Sequence, residues 1–367
     1  MIPYLDLKAQ YQNIQGEIQE SVKGVLESGH YVLGEEVKTF EENFAVYCQT
    51  RFAVAVNTGT SALHLALLAA GIGPGDEVIT TPLTFVATAA AVVYTGAKPV
   101  FVEIDPATLN LDAGKVSKAI TPRTKALLPV HLHGKPVEMA PLLELSKRNN
   151  IHLIEDAAQA HGAEFQGRRA GSMGLAGCFS FYPGKNLGAY GEGGAVTTND
   201  EGIAKKIRLL RDWGAEKRYH HDVKGFNFRM ESLQGAILKV KLKHLEKWTE
   251  ARRAHAMRYD EKLKGLSLRV PQTPSGVRHV YHVYPILLEK RDKLQEYLMS
   301  RGVQTNIHYP IPVHLQKAYS DLGYKAGDFP VTEKACDQLL SLPLYPEMTE
   351  AQVDEVAEAV RDGLKEI

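Results

Sequence analysis

Ile151-His152-Leu153-Ile154-Glu155-Asp156-Ala157-Ala158-Gln159-Ala160-His161-Gly162 opens as a short, mostly apolar run and ends in two carboxylates followed by small residues. A run this short, apolar at successive rather than alternate positions, reads as a strand covered on both faces. Asp156 then stands at the strand's carboxyl end, where its side chain can project into a crevice.

The same unit recurs on both sides. Ala53 to Val56, Val78 to Thr81, Val100 to Ile104, Ala126 to Val130 and Cys178 to Phe181 are further short apolar runs divided by helix-length segments. That rhythm predicts an α/β fold, a largely parallel sheet between layers of helix. The ligand crevice of such a sheet lies beyond the carboxyl ends of its strands. The residues to weigh are therefore Asn57 to Ser61, Pro82 to Phe85, Asp105, His131 to His133, Glu155 to His161 and Tyr182 to Lys185. Upstream, Val37, Phe40, Phe44, Tyr47 and Cys48 return at helical spacing, with Glu41, Glu42 and Asn43 on the side expected to be wet.

Downstream, a connection rich in Gly, His and aromatic residues joins a helix-like stretch ending near Leu210 to one beginning near Met230, and a loop of that length is more often functional or disordered than mere linker. A charged helical segment, Lys239 to Lys264, leads to a strand at Val280 to Leu288 and a final amphipathic helix from about Thr349. At 367 residues the chain exceeds one small core. A large domain over 1–247 and a smaller one over 248–367 are expected.

Forty-three Lys and Arg balance forty-three Asp and Glu, which argues against a coat for nucleic acid or anionic lipid and for a small-molecule partner. Cys48, Cys178 and Cys336 have neither paired nor metal-type spacing, as in a protein among reduced thiols. The start lacks a basic region followed by an apolar run, and no segment has the unbroken apolar length to span a bilayer, so a cytoplasmic, unexported protein is expected. Neither an internal repeat nor a biased-composition tract is visible.

Asn57-Thr58-Gly59-Thr60-Ser61 opens the helix Ala62 to Ala70, offering free backbone N–H groups and hydroxyls to a phosphate; read alone, Thr60 and Ser61 equally well only cap the helix. A buried Asp156 needs a cation, which a protonated pyridine nitrogen would supply, although an Asp at this point also commonly caps a following helix. Lys185, in Ser180-Phe181-Tyr182-Pro183-Gly184-Lys185-Asn186-Leu187-Gly188, follows a buried-strand-like aromatic run with glycines on either side. Most lysines are solvated, but burial here would lower its amine pKa and favour the neutral form that attacks an aldehyde. Phe85 can lie flat over a ring held between the Gly59 helix and Asp156, and alone reads as core. Gln159, one helical turn beyond Asp156, can donate to the same ligand, or simply solvate the surface.

Fourteen histidines raise a metal reading, but His131/His133 and His220/His221 lack a nearby carboxylate or third ligand at metal spacing, and no metal is expected. There is no Gly-x-Ser-x-Gly elbow, Walker loop or dinucleotide fingerprint.

Taken in order, Gly-Thr-Ser, an aromatic, Glu-Asp-Ala-Ala-Gln-Ala-His-Gly and Ser-Phe-Tyr-Pro-Gly-Lys-Asn-Leu-Gly resemble the nucleotide-sugar aminotransferases of the DegT/StrS family. The likeness runs from Ile2-Pro3-Tyr4-Leu5-Asp6-Leu7 and Gly34-Glu35-Glu36-Val37 through Gly191-Glu192-Gly193-Gly194 to Phe226-Asn227-Phe228-Arg229-Met230. It implies a fold-type I pyridoxal-phosphate (PLP) transferase with the aspartate-aminotransferase fold: a mostly parallel seven-stranded sheet, a smaller C-terminal α/β domain, and a homodimer with shared sites. By that resemblance Lys185 would carry the cofactor, Asp156 would pair with its ring nitrogen and Gln159 would hold its ring hydroxyl. Thr60 and Ser61 beside Gly59, with Ser180, would bind its phosphate, Phe85 would stack on it, and Asn227 would reach the other subunit's phosphate. Phe228 departs from the usual Tyr, which puts a hydroxyl contact there in doubt.

The stretch Asn306-Ile307-His308-Tyr309-Pro310-Ile311-Pro312-Val313-His314-Leu315-Gln316-Lys317 is similar to members that aminate carbon 3 of dTDP-linked 3-keto-6-deoxyhexoses for polysaccharides or antibiotics, or is a Pro-stiffened surface loop. Tyr182, His308 and Tyr309 are the candidates for touching the sugar or its pyrophosphate. The implied reaction moves the amino group of L-glutamate through the pyridoxamine (PMP) form to the keto-sugar, Lys185 acting as acid and base in both halves. The alternatives are amination at carbon 4 or of another keto-sugar nucleotide, a sugar dehydratase, a non-catalytic sensing relative and a nicotinamide dehydrogenase. Dehydratase relatives replace the lysine with histidine, and the dehydrogenase lacks its glycine fingerprint.

Overall fold

A computed structural model describes residues 1–217 and 219–367. Seven strands form the main sheet, in the order Phe52–Val56, Gly194–Thr198, Ala176–Ser180, His152–Asp156, Thr124–Leu127, Glu77–Thr80, Lys98–Phe101. Only Gly194–Thr198 runs against its neighbours. This strand is the one that the apolar-run reading did not single out, because Gly194, Thr197 and Thr198 dilute its pattern.

Alternation along the strands divides two cores. Val54, Val56, Ile154, Cys178 and Val196 pack with the helix Gly59–Ala69 on one face, while Ala53, Ala55, Phe179 and Ala195 pack with Phe40 and Phe44 of the helix Glu35–Tyr47 on the other. A third core gathers Ala256 and Tyr259 of the helix Ser232–Lys262, the antiparallel strands Tyr284–Leu287 and Leu339–Leu342, Val356 of the last helix, and Ile2. The helix Ser232–Lys262 is continuous past Lys247 and contributes to cores on both sides of it. The last helix, Glu350–Glu366, starts on a capping box made by Thr349 and Gln352. Among the described residues no helix is long and apolar enough to cross a membrane.

Two expectations need correction. Glu41 is not on a wet face: it is 8% exposed, its Oε1 accepting from the Ala55 N–H at 2.8 Å and from Arg211 at 2.5 Å, while Arg211 also donates to the Ala55 carbonyl at 2.6 Å. Phe52–Val56 is an edge strand, and this ion pair satisfies the backbone groups that an edge leaves open. The strand expected over Val280 to Leu288 is confined to Tyr284–Leu287, because Val280 and His282 turn back toward the sheet domain.

Candidate active site

Asp156 ends its strand with its N–H bonded to the Pro129 carbonyl at 2.9 Å and its carboxylate buried. Oδ2 accepts from the Thr88 hydroxyl at 2.8 Å and Oδ1 from the Ala158 N–H at 3.2 Å. Burial pushes the carboxyl above its ordinary value, against the opposing pull of Thr88, Ala158 and Lys185. No helix follows: tight turns carry the chain from Ala157 to Gly162, so Gln159 is placed by turns rather than by a helical repeat.

Lys185 follows the strand Ala176–Ser180 through a turn closed by its own N–H on the Tyr182 carbonyl at 2.8 Å. Gly188 is required here, since a Cβ would stand 2.3 Å from the Pro183 oxygen. The Lys185 amine is pushed down to about 8 by burial, with Asp156 acting the other way. Beside it, His161 is fully buried, and burial together with the Lys185 charge pushes it down to about 3, so it is neutral.

The helix Gly59–Ala69 points its amino end into the same space. Thr58 caps it by accepting from the Ser61 N–H at 3.0 Å and donates to the Ser61 hydroxyl at 3.0 Å. Gly59 lies against Ser180 so closely that a Cβ would come 2.5 Å from the Ser180 Cβ. The free N–H groups of this helix end and the Ser180 hydroxyl therefore face one seat for an anion.

Gln159 is held at both ends of its amide. Its Oε1 accepts from the His133 N–H at 2.6 Å and its Nε2 donates to the Tyr309 hydroxyl at 3.0 Å, which leaves a second N–H for a ligand. The Tyr309 ring stands 5.8 Å from that of Phe85, and the His308 ring 5.8 Å from that of Tyr4. Burial, helped by the Lys185 charge, pushes His308 down to about 4.

These groups line one cavity of about 790 Å³. Lys185, Asp156, Gly59, Thr60, Phe85, Gln159, Ser180, Tyr182, His308 and Tyr309 all border it; Phe85 and Tyr182 are each 55% exposed at its wall. Ser61 and Asn227 do not. Ser61 is buried with its hydroxyl on Thr58, and Asn227 is exposed, accepting from the Arg229 Nε at 3.0 Å. Sequence reasoning missed Thr88, Arg252, His282, Asn306 and Leu344, and gave no site role to Tyr4. A Thr in the otherwise Ala- and Val-rich Ala87–Tyr94 was the one available signal for Thr88.

Two of the other windows are structural. Asp105 Oδ1 accepts from the N–H groups of Ala107 and Thr108 and closes a turn. His131 does have a carboxylate beside it, Glu155 at 2.9 Å, contrary to the expectation from sequence, because neighbouring strand ends bring together residues far apart in the chain. Among the described residues no group of three or more His, Cys, Asp or Glu could hold a metal ion.

Pyridoxal phosphate suits this donor set. The cavity offers an amine that is easily deprotonated, a buried carboxylate short of a cation, an amide N–H to spare and an anion seat at a helix end. Residues 12–361 match the DegT/DnrJ/EryC1/StrS aminotransferase family. A pleiotropic regulatory protein of Geobacillus stearothermophilus is 45% identical over 98% of this chain and 98% of its own length. The dTDP-3-amino-3,4,6-trideoxy-alpha-D-glucose transaminase of Streptomyces venezuelae is 46% identical over 100% of this chain and 97% of its own. The crystal structure of S. venezuelae DesV, 46% identical, superposes with a TM-score of 0.98 over 100% of this chain and 99% of that one. Solved structures of further relatives are in pyridoxal or pyridoxamine forms. With its cavity lysine and buried aspartate intact, this chain belongs to the DegT/DnrJ/EryC1/StrS aminotransferase family and is a PLP-dependent aminotransferase.

Proposed function

We propose that this aminotransferase takes the amino group of L-glutamate and delivers it to a nucleotide-linked keto-sugar, with a dTDP-3-keto-6-deoxyhexose as acceptor and the 3-amino sugar as product. The observation that carries the reading is the meeting of Lys185 and Asp156, from separate strand ends, in one cavity. The full-length likeness to a dTDP-3-amino-sugar transaminase supports the acceptor class.

Lys185 would hold the cofactor, Asp156 its ring nitrogen, Gln159 its ring hydroxyl, Thr60 and Ser180 its phosphate, and Phe85 one ring face, while Ser61, turned onto Thr58, would support the helix end rather than touch the phosphate. When bound, PLP supplies an aldehyde for the amine and an electron-poor ring that takes up the charge left by a departing proton. The carboxylate of Asp156, fixed by Thr88 and Ala158, would face the ring nitrogen and favour its protonated form. Lys185, with an amine near 8, takes a proton from the donor carbon and later returns one, as base and then acid. Tyr182, His308 and Tyr309 orient the sugar at the wall. Asn227, exposed and outside its own cavity, serves the phosphate seat of a second copy, which makes the working unit a homodimer of chains with domains 1–247 and 248–367. We place it in the cytoplasm.

Borohydride should bleach the visible colour of wild-type protein and leave the cofactor covalently attached to it, and should attach none to K185A. Incubation with L-glutamate and a panel of keto-sugar nucleotides, read by product mass, should give the 3-amino sugar; transfer only to other acceptors would overturn the acceptor assignment.

A further inference from the structure

Aminotransfer as described leaves one buried cation of the cavity without a task. Arg252, on the helix Ser232–Lys262, is 3% exposed and lines the cavity together with Tyr4 and Leu344. Its Nη1 donates to the Leu344 carbonyl at 2.7 Å and the Tyr281 carbonyl at 3.4 Å, while its Nε has no hydrogen-bond partner. Glu347 attracts it, but the Glu347 Oε1 is likewise without a partner, so those two atoms do not join. Burial pushes the guanidinium down to about 10 in spite of Glu347, and pushes the Glu347 carboxyl up, both signs of charge with too little compensation.

In a guanidinium the Nε–H lies beside one N–H of Nη2, and this edge matches the two oxygens of a carboxylate. The backbone bonds of Arg252 use Nη1, and its buried Nε is left without a partner. Resting on the aminotransfer reading above, we propose that the Nε–Nη2 edge of Arg252 seats a carboxylate of the amino-acid donor. The chemistry favours the donor over the sugar nucleotide. Arg252 and Lys185 border one cavity, with the half-buried His282 also on its wall. An amino-acid donor carries a carboxylate one bond from the reacting carbon and, in glutamate, a second at the end of a short chain. A sugar nucleotide carries its pyrophosphate across a neutral hexose ring from the keto carbon, which places that charge toward the cavity mouth.

Glutarate, a dicarboxylate with no amine to transfer, is titrated calorimetrically into the PLP-loaded wild type, R252Q and R252K. Wild type should bind it, R252Q about thirtyfold more weakly, and R252K between the two, since it keeps a charge but loses the fork. In rapid mixing with L-glutamate alone, R252Q should need about thirtyfold more donor for half-maximal conversion of the PLP form. The return half-reaction of the PMP-loaded variant with the keto-sugar should stay within about threefold of wild type. Equal glutarate affinity in wild type and R252K, no glutarate binding by wild type, or a loss confined to the keto-sugar half overturns the assignment. The R252K comparison stands if R252Q does not fold. Wild type converted by glutamate with R252Q unaffected sinks this assignment alone; wild type converted by no amino acid sinks the aminotransfer reading with it.

Discussion

Glu155 and Asp156 are neighbours on one strand, and the pleat sends them to opposite faces. Both are buried carboxylates, yet they end in opposite electrostatic states. Glu155 accepts from the N–H groups of Gly171, Met173 and Gly174, each at 2.8 Å, and bonds to His131 at 2.9 Å. Burial alone would raise its carboxyl, but the His131 bond and charge and the amides outweigh it and hold it below its ordinary value. Asp156, with one hydroxyl and one amide, is held above. A carboxylate with its shell complete is scaffold. One whose shell is short of a cation has room for one, and on that contrast we propose the face of Asp156 as the reacting one.

The open face is broken most completely at its amine. K185A should lose at least about a thousandfold in turnover, the scale of a missing acid–base group, measured in single turnover with mass detection of the amino product. D156N, isosteric but uncharged, should fold normally by circular dichroism and lose about a hundredfold in kcat, because the ring nitrogen no longer finds an anion. The closed face should fail differently: E155Q should lower stability by about 3 kcal/mol in urea titration, since removing one member of a buried pair strands the other. Folded E155Q should keep a kcat close to that of wild type; a kcat loss equal to that of D156N would erase the distinction between the faces. A smaller change is expected from Y309F, which frees Gln159 Nε2 and should weaken cofactor retention by about tenfold or less in dialysis.

The mildest test is pH. The Lys185 amine near 8 is mostly protonated at pH 7, and only the neutral form attacks an aldehyde. Capture of PLP by cofactor-free protein, followed by absorbance, should therefore speed up roughly fivefold from pH 7 to 8 and level off above pH 9. A rise continuing about tenfold per unit beyond pH 9 would mean an ordinary, solvated lysine.

The strand-end rule found one wall of the cavity and was blind to the other. Asp156, Lys185, Gly59, Thr60, Phe85 and Tyr182 each follow a short apolar run, so period and position were enough to mark them, whereas Ser180, inside its run, was marked by the resemblance alone. Arg252 lies among Arg253, His255 and Arg258 on a charged helix, where nothing local separates a cavity cation from its solvated neighbours. Its burial comes from Leu344 and Tyr281, remote segments that no periodicity reports. Glu41 was misread for the same reason: its partners, Ala55 and Arg211, belong to a sheet edge and a distant helix. The turn after Asp156 was read as helical because Ala-Ala-Gln-Ala has helix-forming composition, and tertiary context overrides such local preference.

The helix Ser232–Lys262 does more than connect two cores: it sets a register. Lys241 is buried with its Nζ donating at 2.5 Å to the carbonyl of Gly188, in the loop that carries Lys185, while Arg252 holds the Leu344 carbonyl. About three turns separate them, so both emerge on nearly the same face. A single residue inserted between them would rotate everything beyond it by about 100°, leaving Lys241 on its loop while Arg252 swings off the cavity. Point substitutions in this helix are local events. Changes in its length are not, and this span should tolerate neither insertion nor deletion, however charged and solvent-facing its composition looks.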